Sequence, residues 1–137
     1  MCKAPALTLT LTTPKEHAKH ASLTPAAKRR NTSAVLQRAA ILIEENGWVQ
    51  GQSMAATGEF CMGGAIAHAC YILSDAHGWD AQAALDMAVD AATDAVRHEQ
   101  RGFTIALEAW NDQCSRTAEQ VCAVLRTAAA NVAPQRK

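Results

Sequence analysis

Apolar residues recur at helical spacing along most of the chain. Val35, Leu36, Ala39, Leu42 and Ile43, with Asn46, form one stripe, and Gly47 follows as a helix-stopping residue. Asn31-Thr32-Ser33, three residues suited to an N-cap, mark the expected start of order. A Gly-containing loop from Trp48 to Glu59 leads to a second helix expected over Phe60–His77. Its buried side should carry Phe60, Gly63, Gly64, Ala67, Cys70 and Leu73 or Ile72, with Gly78 ending it. Asp80 is placed to cap a third helix running to about Glu99, with Ala84, Leu85, Ala88, Val89, Ala92 and Val96 inward. Asp86, Asp90 and Asp94 then share an outer face at i, i+4, i+8. Beyond Gly102, Ile105, Leu107, Ala109 and Trp110 suggest a short fourth helix. Thr117 to Asn131 make the last, opened by the capping-box pair Thr117 and Gln120, with Glu119 placed to favour the helix dipole.

These stripes predict an all-α protein: a compact bundle of four or five helices with a flexible basic N-terminal arm. The expected division is an arm over 1–30, a helical domain over 31–132 and a short tail over 133–137. Composition agrees, with 49% hydrophobic residues, much of that alanine, and only 4% aromatic. Alanine favours helix and lets helices approach closely.

Charge changes the picture at the N-terminus. The formal net charge is zero, but residues 1–30 hold six Lys/Arg against the single acid Glu16, while the remainder holds seven against twelve acids. A basic arm on an acidic body reads first as a solubilising flexible tail. It also suits nucleic-acid contact through Lys28, Arg29 and Arg30, or a fold-back of the arm onto the body. Leu7-Thr8-Leu9-Thr10-Leu11 alternates as a short strand would. Five cysteines without a C-x-x-C pair, and no apolar run approaching the roughly 20 residues of a membrane span, point to a reduced, cytoplasmic protein with free thiols.

The candidate chemistry is thin. Cys61, in Phe60-Cys61-Met62-Gly63-Gly64, is placed near a helix N-terminus, where a thiol can serve as a nucleophile, but a small buried residue beside glycines that permit close helix packing is the preferred reading. Cys61, His68, Cys70, Cys114 and Cys122 lack the close ligand pairs of zinc sites, and His17 and His20, spaced i, i+3, fall in the arm. No metal and no cofactor are expected. Trp48 and Trp110 either plug the bundle or floor a shallow site. Asn111, Asp112 and Arg116 form the best polar constellation, with Asn111 expected to cap the preceding helix and Asp112 to pair with Arg116 across the loop. It reads as a joint, because it lacks a nucleophile, a histidine or a second nearby carboxylate.

The same residues carry a family resemblance. Gly47-Trp48-Val49-Gln50-Gly51, then Cys61 with Gly64-Ala65-Ile66, then Trp110-Asn111-Asp112 ahead of Arg116-Thr117-Ala118-Glu119-Gln120-Val121 resemble a small uncharacterised helical domain family of actinobacteria and their phages. Its members typically read G-W-x-Q-G, W-C-x-x-G-A-I/L and W-N-D-x-x-x-R-T-x-E-E-V. Phe60 stands here for the usual Trp, and Cys114-Ser115 for the commoner Pro-Gly. The resemblance spans about residues 33–130. It implies a mobile-element or host accessory role, and it transfers no catalytic residue.

The leading expectation is therefore a non-enzymatic protein that docks on a host or phage macromolecule through a helical surface. The alternatives are nucleic-acid binding through the basic arm, and a small enzyme or ligand-binding domain using Cys61 near Trp48 and Trp110.

Overall fold

The computed structural model describes residues 23–134. Among them are five helices: α1 Pro25–Asn46, α2 Met62–His77, α3 Ala81–Glu99, α4 Leu107–Asn111 and α5 Ala118–Val132. The expected alternation at Leu7–Leu11 and the His17/His20 pair lie outside the described residues.

Helix α1 starts earlier than the Asn-Thr-Ser run suggests. Thr24 is the cap, its hydroxyl accepting from Ala27 N at 3.1 Å, and Pro25 follows in the first turn. Proline fits there because its missing N–H is one the first turn cannot use anyway. Thr32 and Ser33 are consequently inside the helix and buried. Thr32 Oγ1 bonds back to Lys28 O at 2.9 Å, while Ser33 Oγ donates across to Ala129 O of α5 at 2.9 Å. Polar residues that looked like a cap instead bind one helix to another. Lys28, Arg29 and Arg30 therefore stand on the opening turns of α1, within the helical body.

Helix α1 lies along both α5 and α2, and α3 closes the bundle against α2 and α5. Buried alanines line these contacts: Ala39 and Ala40 on α1, Ala65 and Ala69 on α2, Ala88 and Ala92 on α3, Ala128 and Ala129 on α5. Small side chains let helix axes approach, and Leu36, Met62, Ile66, Val96, Leu125 and Trp110 fill the remaining volume.

On α2 the buried stripe differs in phase from the expected one. It runs through Met62, Ala65, Ile66, Ala69, Cys70 and Ser74, and Ala67 is exposed. Phe60 is buried but lies ahead of the helix, where its backbone bridges to Trp48 and its ring meets His68 at 5.1 Å. The expected stripe includes both glycines, yet Gly64 faces the Ser53 backbone of the loop that arrives before α2, and a Cβ at Gly63 would meet only Cys61 Sγ. On α1 the stripe holds except at Asn46, which is exposed. The third helix has Asp80 as its cap, accepting from Gln82 N and Ala83 N, and Gly78 stops α2 in the left-handed conformation at φ 72°. The last helix opens with Thr117 and Gln120 in a reciprocal capping box.

Candidate functional site

The densest polar centre is the place where loop 47–61 meets the end of α4. Trp110 supplies the anchor: its ring is fully buried, and the short α4 exists to carry it into the core. The next residue, Asn111, is 1% exposed and has every side-chain group engaged. Its Oδ1 accepts from Trp48 Nε1 at 2.7 Å and from Met62 N at 3.0 Å. Its Nδ2 donates to Val49 O at 3.1 Å and to Asp112 Oδ1 at 3.0 Å. An amide offers two donors and two acceptor lone pairs, so this one is saturated. Asn111 thus ties loop 47–61, the start of α2 and the α4–α5 connection together. It belongs to the last turn of α4 rather than capping that helix through its side chain.

Gln50 and Asp112 complete the joint. Gln50 Nε2 donates to Asn111 O and Gln113 O, both at 2.9 Å, and Asp112 Oδ1 accepts from Gly51 N at 2.9 Å. The bonds from Asn111 and then from the Gly51 amide hold the Asp112 carboxyl below its ordinary pKa. Arg116 does not pair with Asp112. Its Nε donates to Trp110 O at 3.0 Å, its guanidinium lies 3.7 Å above the Trp110 ring, and its other nitrogens reach Gln113 and Gln120. The planar guanidinium satisfies a carbonyl and covers an aromatic face at once, and the carboxylate is already taken by the loop. Trp110 Nε1 is left buried without a partner.

Cys61 is buried and is the N-cap of α2, its Sγ accepting from Gly64 N at 3.2 Å. Its own N–H donates to Ser53 O at 3.0 Å. That carbonyl explains Gly64, since a Cβ there would stand 2.0 Å from Ser53 O. The close approach expected of the glycines is real, and what approaches is the chain's own loop. Trp48 is half-buried and Trp110 fully buried, so the two tryptophans divide the roles of rim and core.

The other thiols are dispersed. Cys70 and Cys122 are buried, and burial pushes both pKa values up. Cys114 is exposed, and all four described cysteines are free. Among the described residues, no group of three or more His, Cys, Asp or Glu side chains converges as a metal site would require.

Two surface depressions flank these elements, the first of them reaching Trp48 at the edge of the joint. One, of about 470 Å³, is bounded by Ile43, Glu44, Gly47, Trp48, Ala118, Glu119 and Cys122. Glu44 on its edge is bound to Arg126, with Nη2 to Oε1 at 2.9 Å. The second, of about 440 Å³, is a groove between α3 and α5. Met87, Ala91, Ala128 and Val132 give it an apolar floor, and Asp90, Asp94 and Asn131 edge it. Asp90 and Asp94 are exposed, and Asp94 pairs with Arg97 one turn on. The aspartate row was legible as an outer face, but the groove beside it was not. It needs α5 to lie against α3, which no local pattern specifies.

No helix among the described residues is long and apolar enough to cross a membrane. No curated protein and no solved structure matches the chain. The model of a family of unknown function, DUF6197, matches residues 27–131, which takes in all three motifs and every residue of the joint; the chain belongs to that family.

Proposed function

We propose that this chain is a non-enzymatic accessory protein, of phage or actinobacterial type, that docks on a partner protein through the groove between α3 and α5. The observation that carries this reading is the juxtaposition of Met87, Ala91, Ala128 and Val132 with the exposed carboxylates of Asp90 and Asp94. An apolar floor with an acidic edge suits a helix that is apolar on one side and basic on its flanks. The groups best suited to catalysis have structural employment: Asn111 is saturated, Cys61 caps α2 and Arg116 covers Trp110. The four described cysteines are free and three of them are buried, which favours a reducing compartment such as the cytoplasm.

The test is affinity capture from an actinobacterial lysate, run in parallel with the wild-type chain and with Met87→Glu, which sets a charge on the groove floor. Protein retained by the wild type and lost by a folded Met87→Glu supports the reading. Identical retention by both proteins overturns it.

Nucleic-acid binding through Lys28, Arg29 and Arg30 is the alternative. Arg29 and Arg30 are exposed, but Arg29 Nε donates to Val132 O at 3.3 Å, and the aspartates of α3 line the groove that Val132 closes. A gel shift that weakens steeply with salt and disappears in Arg29→Glu/Arg30→Glu would favour it.

A further inference from the structure

We propose that residues 1–22 of this same chain occupy the α3–α5 groove in cis, so that a partner must displace them. The inference rests on the reading of that groove as the docking site and adds a regulation to it.

Three observations converge. The first is where the described chain begins. Arg29 near the start of α1 bonds the carbonyl of Val132, which lines the groove, at 3.3 Å. Thr32 Oγ1 lies 3.8 Å from the sulfur of Met87 on the groove floor. Seven residues of helix separate Pro25 from Thr32, roughly 10 Å of axial rise. The segment before Pro25 therefore leaves the body beside the groove.

The second is reach. Fully extended, residues 1–22 span roughly 70 Å, several times the length of the groove's α3 wall from Met87 to Asp94, which rises roughly 10 Å. Attachment close to the groove raises the effective concentration of the segment to the order of millimolar, well above any partner at ordinary cellular levels.

The third is chemistry. Residues 1–22 carry Lys3, Lys15 and Lys19 against Glu16, together with Leu7, Leu9 and Leu11. The groove offers an apolar floor and the exposed carboxylates of Asp90 and Asp94, with Asp86 one turn further along α3. Arg97 neutralises part of the Asp94 charge, and Arg29 occupies the Val132 end. The acidic character is therefore concentrated at Asp86 and Asp90, and the lysines are matched to that wall.

The test uses a fluorescently labelled synthetic peptide of residues 1–22, titrated by anisotropy with three full-length proteins: wild type, Lys15→Glu/Lys19→Glu, and the latter carrying Asp90→Lys/Asp94→Lys as well. Cis occupation predicts that Lys15→Glu/Lys19→Glu binds the peptide at least tenfold more tightly than wild type, because its own segment no longer competes. Adding Asp90→Lys/Asp94→Lys should abolish that binding. Equal binding by the first two proteins overturns cis occupation while leaving the groove able to serve a partner. Absence of binding to either, or binding that survives the aspartate changes, overturns the segment as the groove's occupant. The Met87→Glu capture experiment judges the docking role separately in each of those cases.

Discussion

The indole nitrogen of Trp48 donates to the side-chain oxygen of Asn111 at 2.7 Å, across 63 positions of sequence. That bond fixes the entrance of loop 47–61 to the exit of α4. It also fixes the Asn111 amide in the one orientation in which all four of its hydrogen bonds form. Trp48→Phe keeps an aromatic ring, though a smaller one, and removes the indole donor, leaving Oδ1 with the Met62 amide alone. A loss of about 1 kcal/mol is expected. Asn111→Asp also removes two donors and sets a carboxylate against the Val49 carbonyl and the Asp112 carboxylate. Its cost should be larger, about 3–5 kcal/mol. Urea unfolding of the two variants checks the order: a Trp48→Phe that costs as much as Asn111→Asp would remove Asn111 from the centre of the joint.

Adjacent glycines at the start of α2 should respond in opposite directions to alanine. A Cβ at Gly63 meets only Cys61 Sγ, at 4.0 Å, so Gly63→Ala should be neutral or stabilise by up to about 1 kcal/mol through helix propensity. A Cβ at Gly64 would collide with the Ser53 backbone. Gly64→Ala must push loop 47–61 off α2 and break the Cys61 N–H to Ser53 O bond, a loss of about 2–3 kcal/mol. Thermal melts of the two single variants decide it, and equal midpoints would contradict the loop-on-helix approach.

Much of this arrangement could be read from the residues, and the limits have physical reasons. The stops and starts were legible at Gly78, Asp80 and Thr117 because each satisfies a backbone group by a local rule. Thr24-Pro25 is an equally local signal, but Asn31-Thr32-Ser33 competes with it by offering three cap-like residues in a row. The cross-helix contacts of Ser33 and Thr32, to Ala129 O and the Met87 sulfur, come from α5 and α3 and could not be inferred from neighbours in sequence. The joint was legible as a joint from Trp110-Asn111-Asp112. Its wiring was not: Asp112 serves Gly51 and Arg116 serves Trp110, choices set by the path of loop 47–61.

Acid should loosen the joint through Asp112. Its carboxyl is held below the ordinary aspartate value by Asn111 and Gly51, so the ionised form is favoured in the folded state. The folded-state value being the lower one, the stabilisation is fully present above the ordinary aspartate pKa near about 3.9. It is lost as pH falls from there through the folded value. Asp112→Asn removes this contribution. The difference in stability between wild type and Asp112→Asn should therefore shrink as pH is lowered from 5 toward 2. A difference that stayed constant over that window would show that the carboxylate's charge contributes nothing to the joint.

Thiol accessibility distinguishes a structural from a reactive role for Cys61. Cys114 is exposed, whereas Cys61, Cys70 and Cys122 are buried, Cys61 with its sulfur engaged at the head of α2. Alkylation requires both exposure and thiolate, and burial disfavours the thiolate at Cys70 and Cys122. In the native protein iodoacetamide should modify Cys114 first among these four, with Cys61 protected until unfolding. Peptide mapping by mass spectrometry after short exposures reads the order directly. Cys61→Ser should keep a cap acceptor for Gly64 N, since a hydroxyl accepts that bond at least as well as a sulfur. Its melting midpoint should stay within a few degrees of wild type. If Cys61 is instead labelled faster than Cys114, its sulfur is an activated nucleophile rather than a buried cap, and the enzymatic alternative takes precedence over the docking role.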